Sequence, residues 1–388
     1  MSEIKVNSIK GVAASSAAIT VNNTDGTCTA NLTNRTNKNL VVNGAMQVAQ
    51  RGTSSTGTGY QTVDRFQVGT SNVDEAPTQA QADVAAGTTP YTLGFRKSFK
   101  VTNGNQTSGA GTLDIIDIKH IFEAQNIANS GWNYLSSSSY ITLSFWVKSS
   151  VAQNFFGHVK TYDGTAYNYP FSTGSLSADT WTKITKTISG NSNLQIDNNN
   201  GAGLEIRFAL FYGTDRTASV SENAWAAYNN TQRTPDNTST WYTTNDATFE
   251  ITGVQLEVSD HATSFEFLSF ADELRRCMRY FEKSYDVGTT AGTATSSGCN
   301  NNGGLTGVNN ASHATRGSIR YQVTKRAHPT VTTFDLSGNS GKCNFPDTSS
   351  NVTMTVLQQG ANGCSVETSA VTSTDTRCYW HFTADSEL

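Results

Sequence analysis

The chain has 388 residues, of which only 15% are charged, and its formal net charge is -4. Its 18 Phe, 14 Tyr and 6 Trp supply enough apolar surface for several packed cores, which excludes a disordered chain. The slightly acidic balance excludes nucleic acid as the main partner, because phosphate binding needs clustered Lys and Arg. No apolar run approaches the ~20 residues that cross a bilayer, so we expect no membrane insertion.

The first segment, residues 1–37, predicts a short hairpin rich in Thr and Asn. Alternating residues flank a turn at Asn22–Gly26: Ile19 and Val21 before it, and Cys28, Ala30 and Leu32 after it. This segment is too small to bury a core of its own. It is either an extension docked on the next domain or, as we favour, a segment that attaches and intertwines the chains of an oligomer.

Residues 38–268 predict one large jelly-roll β-sandwich. Strand-like segments occur at Leu40–Gln50, Arg65–Val68, Tyr91–Val101, Leu113–Ile118, Tyr140–Lys148, Phe155–Tyr162, Trp181–Ile188, Leu204–Phe211 and Ala247–Val258. Many strands with long irregular loops favour a jelly roll over a parallel α/β sheet. The stretch Lys119–Asn129 fits either a short helix or a continued strand.

The last predicted strand of the sandwich contains a change of phase. Phe249 and Ile251 share one face, whereas Val254, Leu256 and Val258 continue one residue out of phase, and the slip falls at a glycine. An extra residue at a glycine predicts a β-bulge.

A linking helix is predicted within residues 269–285. Ser269 can cap its N-terminus, with Asp272 three residues later. The apolar stripe at helical spacing consists of Leu274, Cys277, Met278 and Phe281.

Residues 286–388 predict a smaller C-terminal β domain, so the fold class is all-β. It opens with the Gly-, Thr-, Ser- and Asn-rich run Val287–Asn310, followed by strands near Gly317–Lys325, Thr330–Asp335, Val352–Leu357 and Arg377–Thr383.

No catalytic or metal-binding motif occurs in the sequence. The GxSxG, HExxH, P-loop and GxGxxG patterns are absent, and the scattered His residues lack ligand spacing. The cysteines, at 28, 277, 299, 343, 364 and 378, match no zinc pattern. We therefore predict no enzyme, no cofactor and no metal site.

Aromatic residues in polar loops are the candidate glycan-binding residues: Trp225, Tyr228, Trp241, Tyr242, Tyr162 and Tyr167. Exposed aromatic rings can stack on the CH faces of sugars while neighbouring Asn, Asp and Thr bond the hydroxyls. The alternative is that these rings cap the sandwich core or fill an interface between protomers.

Several segments resemble bacteriophage tail-fibre and virion appendage proteins. They are the junction motifs Ile251–Val258, Ala262–Glu266 and Glu273–Glu282, the opening motifs Asn43–Thr53 and Thr62–Phe66, the strands Ser144–Ser149 and Asp179–Lys183, the loop Asn223–Ala227, and the C-terminal motifs Lys325–Val331 and Phe382–Leu388. The chain departs from that family where Ser264 replaces its usual Pro, and where Met278 and Phe281 replace Gln and Tyr.

The resemblance implies a homotrimeric virion protein with a jelly roll similar to a carbohydrate-binding module. On this basis we expect attachment to other virion or tail proteins through residues 1–37, binding of host surface carbohydrate, and assembly in the host cytoplasm, where free thiols are expected. It implies no catalytic residue. Two alternatives stay open: a head fibre or capsid decoration protein without a receptor, and a glycan depolymerase.

Overall fold

Most of the regular structure in the described residues is β-strand. The structure is a computed structural model, which describes residues 8–9, 19–21, 24, 28–30, 37–302, 315–345, 350–369 and 377–388. Within them the strands are β1 Ser8–Ile9, β2 Ile19–Val21, β3 Cys28–Ala30, β4 Ser54–Ser55, β5 Gln67–Ser71, β6 Thr78–Asp83, β7 Lys97–Thr102, β8 Ile115–Glu123, β9 Tyr140–Ser149, β10 Asn154–Thr161, β11 Tyr167–Ser175, β12 Thr182–Ser189, β13 Ala202–Tyr212, β14 Ala226–Ala227, β15 Thr248–Glu257, β16 Phe281–Lys283, β17 Asn300–Asn301, β18 Arg316–Arg320, β19 Thr330–Phe334, β20 Lys342–Phe345, β21 Ser350–Gly360, β22 Gly363–Thr368 and β23 Tyr379–Asp385. The helices are α1 Thr89–Thr92, α2 Ala124–Ala128, α3 Thr240–Thr243 and α4 Phe270–Met278, with a 3₁₀ turn at Thr214–Arg216.

Two six-stranded antiparallel sheets form the large sandwich. Sheet A has the order β14-β11-β10-β13-β8-β5, and sheet B has the order β12-β9-β15-β7-β6-β4. Aromatic rings from the two sheets pack against each other in the core. The ring centroids of Phe145 (β9) and Phe208 (β13) are 4.9 Å apart, and so are those of Phe155 (β10) and Phe249 (β15). The jelly-roll class predicted for this region is confirmed.

Most of the predicted strands are present with shifted bounds, and the exceptions have local causes. Residues 40–50 form turns instead of the predicted strand, with Asn43 and Met46 at positive φ. Residues 91–101 divide between α1 and β7, and residues 119–129 continue β8 before entering α2, so both interpretations of that stretch apply in part. The strands β6, β11, β20 and β22 were not predicted. The apolar residues of β6 are two alanines, and β11 contains Pro170.

Pro170 is tolerated in β11 because its missing N–H is not needed. Its carbonyl accepts from the backbone N–H of Asn223 on the outer edge, where β14 pairs only with Tyr167 and Asn168. The nitrogen and carbonyl of one strand residue point the same way, so the proline nitrogen also faces that edge.

The predicted bulge and helix cap are both present. The pairing of β15 with β9 shifts register between Thr252 and Gln255, and Gly253 has φ +62°. Ser269 caps α4 by accepting the backbone N–H of Asp272. The predicted helical stripe is wrong at Phe281, because α4 ends at Met278 and Phe281 begins β16.

Strand β16 carries the chain into the C-terminal domain, whose sheet has the order β16-β23-β20-β21-β22-β18, with β17 and β19 also paired to β23. Ion pairs with buried carboxylates hold the junction. Arg279 donates to Glu123 of β8 at 2.6 Å, and Lys325 pairs with Glu282 at 2.6 Å. The C-terminal Glu387 reaches back to Arg51 and Arg65.

The N-terminal segment contains the predicted hairpin: β2 pairs with β3, with Ile19 opposite Ala30, and β1 adds a third strand. Leu32 and most of the predicted turn lie outside the described residues. Among the helices that the structure describes, none has the length and apolar character needed to cross a bilayer.

Candidate functional site

The outer face of sheet A carries charged side chains in the middle of the sheet. Along β13 the core-facing residues alternate with Glu205 and Arg207, which therefore face outward. The same alternation directs Asp117 of β8 and Lys160 of β10 away from the core. The strand pairing then sets Lys160 directly opposite Glu205.

A chain of charged and tyrosine side chains, here called the charge ladder, crosses this face: Tyr162, Glu205, Arg207, Asp117 and Tyr212. The Arg207 guanidinium donates to Glu205 at 2.6 Å through Nε and to Asp117 at 3.1 Å through Nη1. The hydroxyl of Tyr162 donates to Glu205, and that of Tyr212 donates to Asp117 at 2.9 Å. Glu205 and Asp117 are fully buried, so these bonds hold both carboxylates in place.

The ladder ends at the surface in an arrangement that we call the tyrosine clamp: Tyr162, Lys160 and Tyr228. The Lys160 ammonium lies 4.2 Å from the centroid of the Tyr162 ring and 4.4 Å from that of Tyr228. All three side chains are half-buried. Burial lowers the pKa of Lys160 and raises the pKa of Tyr162, whose neighbour Glu205 adds to the effect. The clamp therefore presents two aromatic rings with a cation between them.

Both rings of the clamp are held by neighbouring groups. The hydroxyl bond to Glu205 orients Tyr162. The backbone N–H of Tyr228 donates to Ala166, and its hydroxyl donates to Asn230 Oδ1 at 3.1 Å. Such fixed rings lose little side-chain entropy when a ligand stacks on them.

Trp225 and Tyr167 lie at the edge of the sandwich rather than in the clamp. The Trp225 indole donates to the Ser189 carbonyl at 2.7 Å, its ring lies 5.3 Å from that of Tyr169, and both it and Tyr167 pack against the core. Trp225 also lines a cavity of about 290 Å³ together with Asn168. These two residues therefore cap the core, and Trp225 in addition forms a cavity wall.

Trp241 and Tyr242 do not present exposed rings, so the expectation that they do is wrong. Helix α3 turns both into the core, where they are 0% and 1% exposed. Trp241 Nε1 donates to the Thr248 carbonyl, and the ring of Tyr242 stacks on Phe211 at 4.2 Å. These two residues fill the sandwich, as the alternative interpretation proposed.

Of the six candidate residues, the structure thus brings together only Tyr162 and Tyr228. The sequence analysis missed Lys160 and the charged members of the ladder. A signal for them existed: charged residues interleave the strict apolar alternation of β13, which places Glu205 and Arg207 on one outward face.

Comparisons with known proteins find only distant structural similarities. No protein-family model and no curated protein sequence matches the chain. Among solved structures, a family 4 carbohydrate-binding module is 13% identical with a TM-score of 0.29, over 56% of this chain and 99% of its own. The N-terminal cellulose-binding domain of Cellulomonas fimi β-1,4-glucanase C is 10% identical with a TM-score of 0.28, over 55% of this chain and 99% of its own. The family 11 carbohydrate-binding module of Clostridium thermocellum is 11% identical with a TM-score of 0.26, over 54% of this chain and 99% of its own. Similarities this weak do not indicate a function for this chain.

Proposed function

We propose that this chain is a virion appendage protein of a bacteriophage, a tail fibre or receptor-binding protein that binds host surface glycans as a homotrimer. The tyrosine clamp is the observation that carries the glycan-binding part. Two fixed, half-exposed rings can stack on sugar CH faces, while Lys160 and Asn230 can bond sugar hydroxyls.

The virion and trimer parts of the proposal are supported by the sequence resemblance. Its motifs include the bulge at Gly253 and the start of α4, where the sandwich meets the C-terminal domain. In a trimer, three weak sites raise avidity without strong affinity at any one of them. The N-terminal hairpin then serves attachment to other virion proteins.

Two buried acids of the ladder bear on the depolymerase alternative. Glycoside hydrolysis needs one carboxyl group free to give a proton and a second free to attack or to activate water. Glu205 and Asp117 are instead fully buried and bonded to Arg207. This observation favours a binding role for this face of sheet A.

Competition for host adsorption tests the proposal. Purified full-length protein should block phage adsorption, and the double variant Tyr162→Ala, Tyr228→Ala should block it at least about tenfold less well, a loss of about 1.4 kcal/mol. Tyr91→Ala is the matched control. That ring also carries a cation, with Arg96 3.9 Å from its centroid, and it packs in a cluster with Trp146 of β9 in sheet B, away from the clamp. Equal competition by all three proteins would refute the clamp as the receptor site.

The decoration alternative makes a different prediction. If the protein decorates the capsid, gold-labelled antibody marks the head, and the purified trimer fails to compete for adsorption. A fall in the chain length of host polysaccharide on incubation with the protein would instead favour the depolymerase.

A further inference from the structure

Lys160 is a half-buried cation, and the carboxylate that faces it already accepts hydrogen bonds from other side chains. Glu205 lies opposite it across the strand pair, but the Glu205 oxygens accept from Arg207 and from Tyr162. Among the described residues, no carboxylate oxygen lies within 4.0 Å of Lys160 Nζ. The ammonium contacts the two rings of the clamp, and ring faces compensate less of its lost hydration than a carboxylate would.

The surroundings of Lys160 also carry an excess of positive charge. Apart from the neutral pair of Glu123 and Arg279 at the end of β8, four cations lie on or over this face, Lys119, Lys160, Arg207 and Arg233, against the two carboxylates of Asp117 and Glu205. The difference is +2, in a chain whose net charge is -4.

Arg233 adds to this excess because it is buried beside Tyr212 and, in the described part of the chain, donates only to Asn230. His158 adds no charge. Burial lowers its pKa well below the usual value, and Arg207 lowers it further.

We propose that the tyrosine clamp binds an acidic sugar, whose carboxylate or phosphate group pairs with Lys160 while the sugar ring stacks on Tyr162 or Tyr228. This inference rests on the proposed glycan-binding function and names the class of glycan. A charge-assisted bond to a partly desolvated ammonium is about twice as strong as a neutral one. A neutral sugar would leave Lys160 without a direct ion pair, since Glu205 is bonded to Arg207 and Tyr162.

Binding to a panel of bacterial surface oligosaccharides tests the proposal. Each member that carries a uronate or a phosphate is paired with a neutral twin, in which the carboxyl group has been reduced or the phosphate removed. The full-length protein should bind the acidic member about tenfold or more tightly, and the preference should shrink as NaCl is raised. The carboxyl and phosphate pairs together show which anion is recognised.

Variants assign that preference to Lys160. Lys160→Gln should bind both twins alike, at the affinity of the neutral one, while Lys160→Arg should keep the preference. Lys183→Gln is the control, since that lysine is exposed on β12 of the opposite sheet.

The outcomes separate this inference from the function on which it rests. Equal binding of both twins by the unaltered protein, or an intact preference in Lys160→Gln, overturns the acidic-sugar inference and leaves glycan binding standing. Failure of the unaltered protein to bind any member of the panel overturns both.

Discussion

Replacing Trp241 with Ala is expected to destabilise the sandwich instead of weakening glycan binding selectively. The ring is fully buried, lies 6.4 Å from that of Phe155, and donates from Nε1 to the Thr248 carbonyl at 3.1 Å. Loss of such a ring typically costs about 3–5 kcal/mol, and the unpaired carbonyl adds about 1 kcal/mol. The sum of about 4–6 kcal/mol approaches the total stability of many domains.

Urea denaturation followed by circular dichroism measures this loss. Trp241→Ala should unfold at a much lower urea concentration or fail to accumulate as folded protein. Trp241→Phe keeps most of the packing and should lose about half as much. Tyr228→Ala, at a half-exposed ring, should lose less than about 1 kcal/mol. The reasoning would be refuted if Trp241→Ala kept the urea midpoint of the unaltered protein and lost only host adsorption.

Three further predictions concern the junction and the bulge. Glu387→Gln should cost about 3 kcal/mol in urea denaturation, because it leaves the buried Arg65 without its carboxylate; an unchanged midpoint would show that the pair is not needed. Gly253→Ala should cost about 1–3 kcal/mol, since φ is +62° and the new Cβ would lie 2.6 Å from Phe95 Cζ; a more stable variant would contradict this geometry. Burial lowers the pKa of Lys283 from 10.5 to about 8. Between these pH values the unfolded chain still binds a proton that the folded chain has released, so the free energy of unfolding should rise with pH. Lys283→Met should flatten that rise in urea midpoints measured across the window, and an identical rise in the variant would refute the assignment.

The best-predicted parts of the fold are long strands with one buried face, whereas the short alternating strands β20 and β22 were missed. Strands β9 and β13 alternate because each has a core face, and the one-residue slip in β15 marked its bulge correctly. Strand β6 could not be found in this way, because its apolar residues are alanines and its pairing with β7 supplies the order.

The candidate site was less predictable because it depends on register and on loop direction. Trp241 and Tyr242 sit among polar residues in the sequence, yet one helical turn directs both rings inward. The polar neighbours indicate where the backbone of this segment lies, but the geometry of α3 decides the direction of the two rings. Lys160 and Glu205 are 45 residues apart, and only the pairing of β10 with β13 sets them opposite each other.

The most direct test of the account is the binding of the purified protein, which we propose is a trimer, to host cells, compared with the double variant Tyr162→Ala, Tyr228→Ala. Both proteins should first show a mass of about 125 kDa, three times the 41.7 kDa chain. The account predicts that the unaltered trimer binds and that the variant of equal mass binds at least about tenfold less. Equal binding by the two trimers would contradict the assignment of the tyrosine clamp as the glycan-binding site.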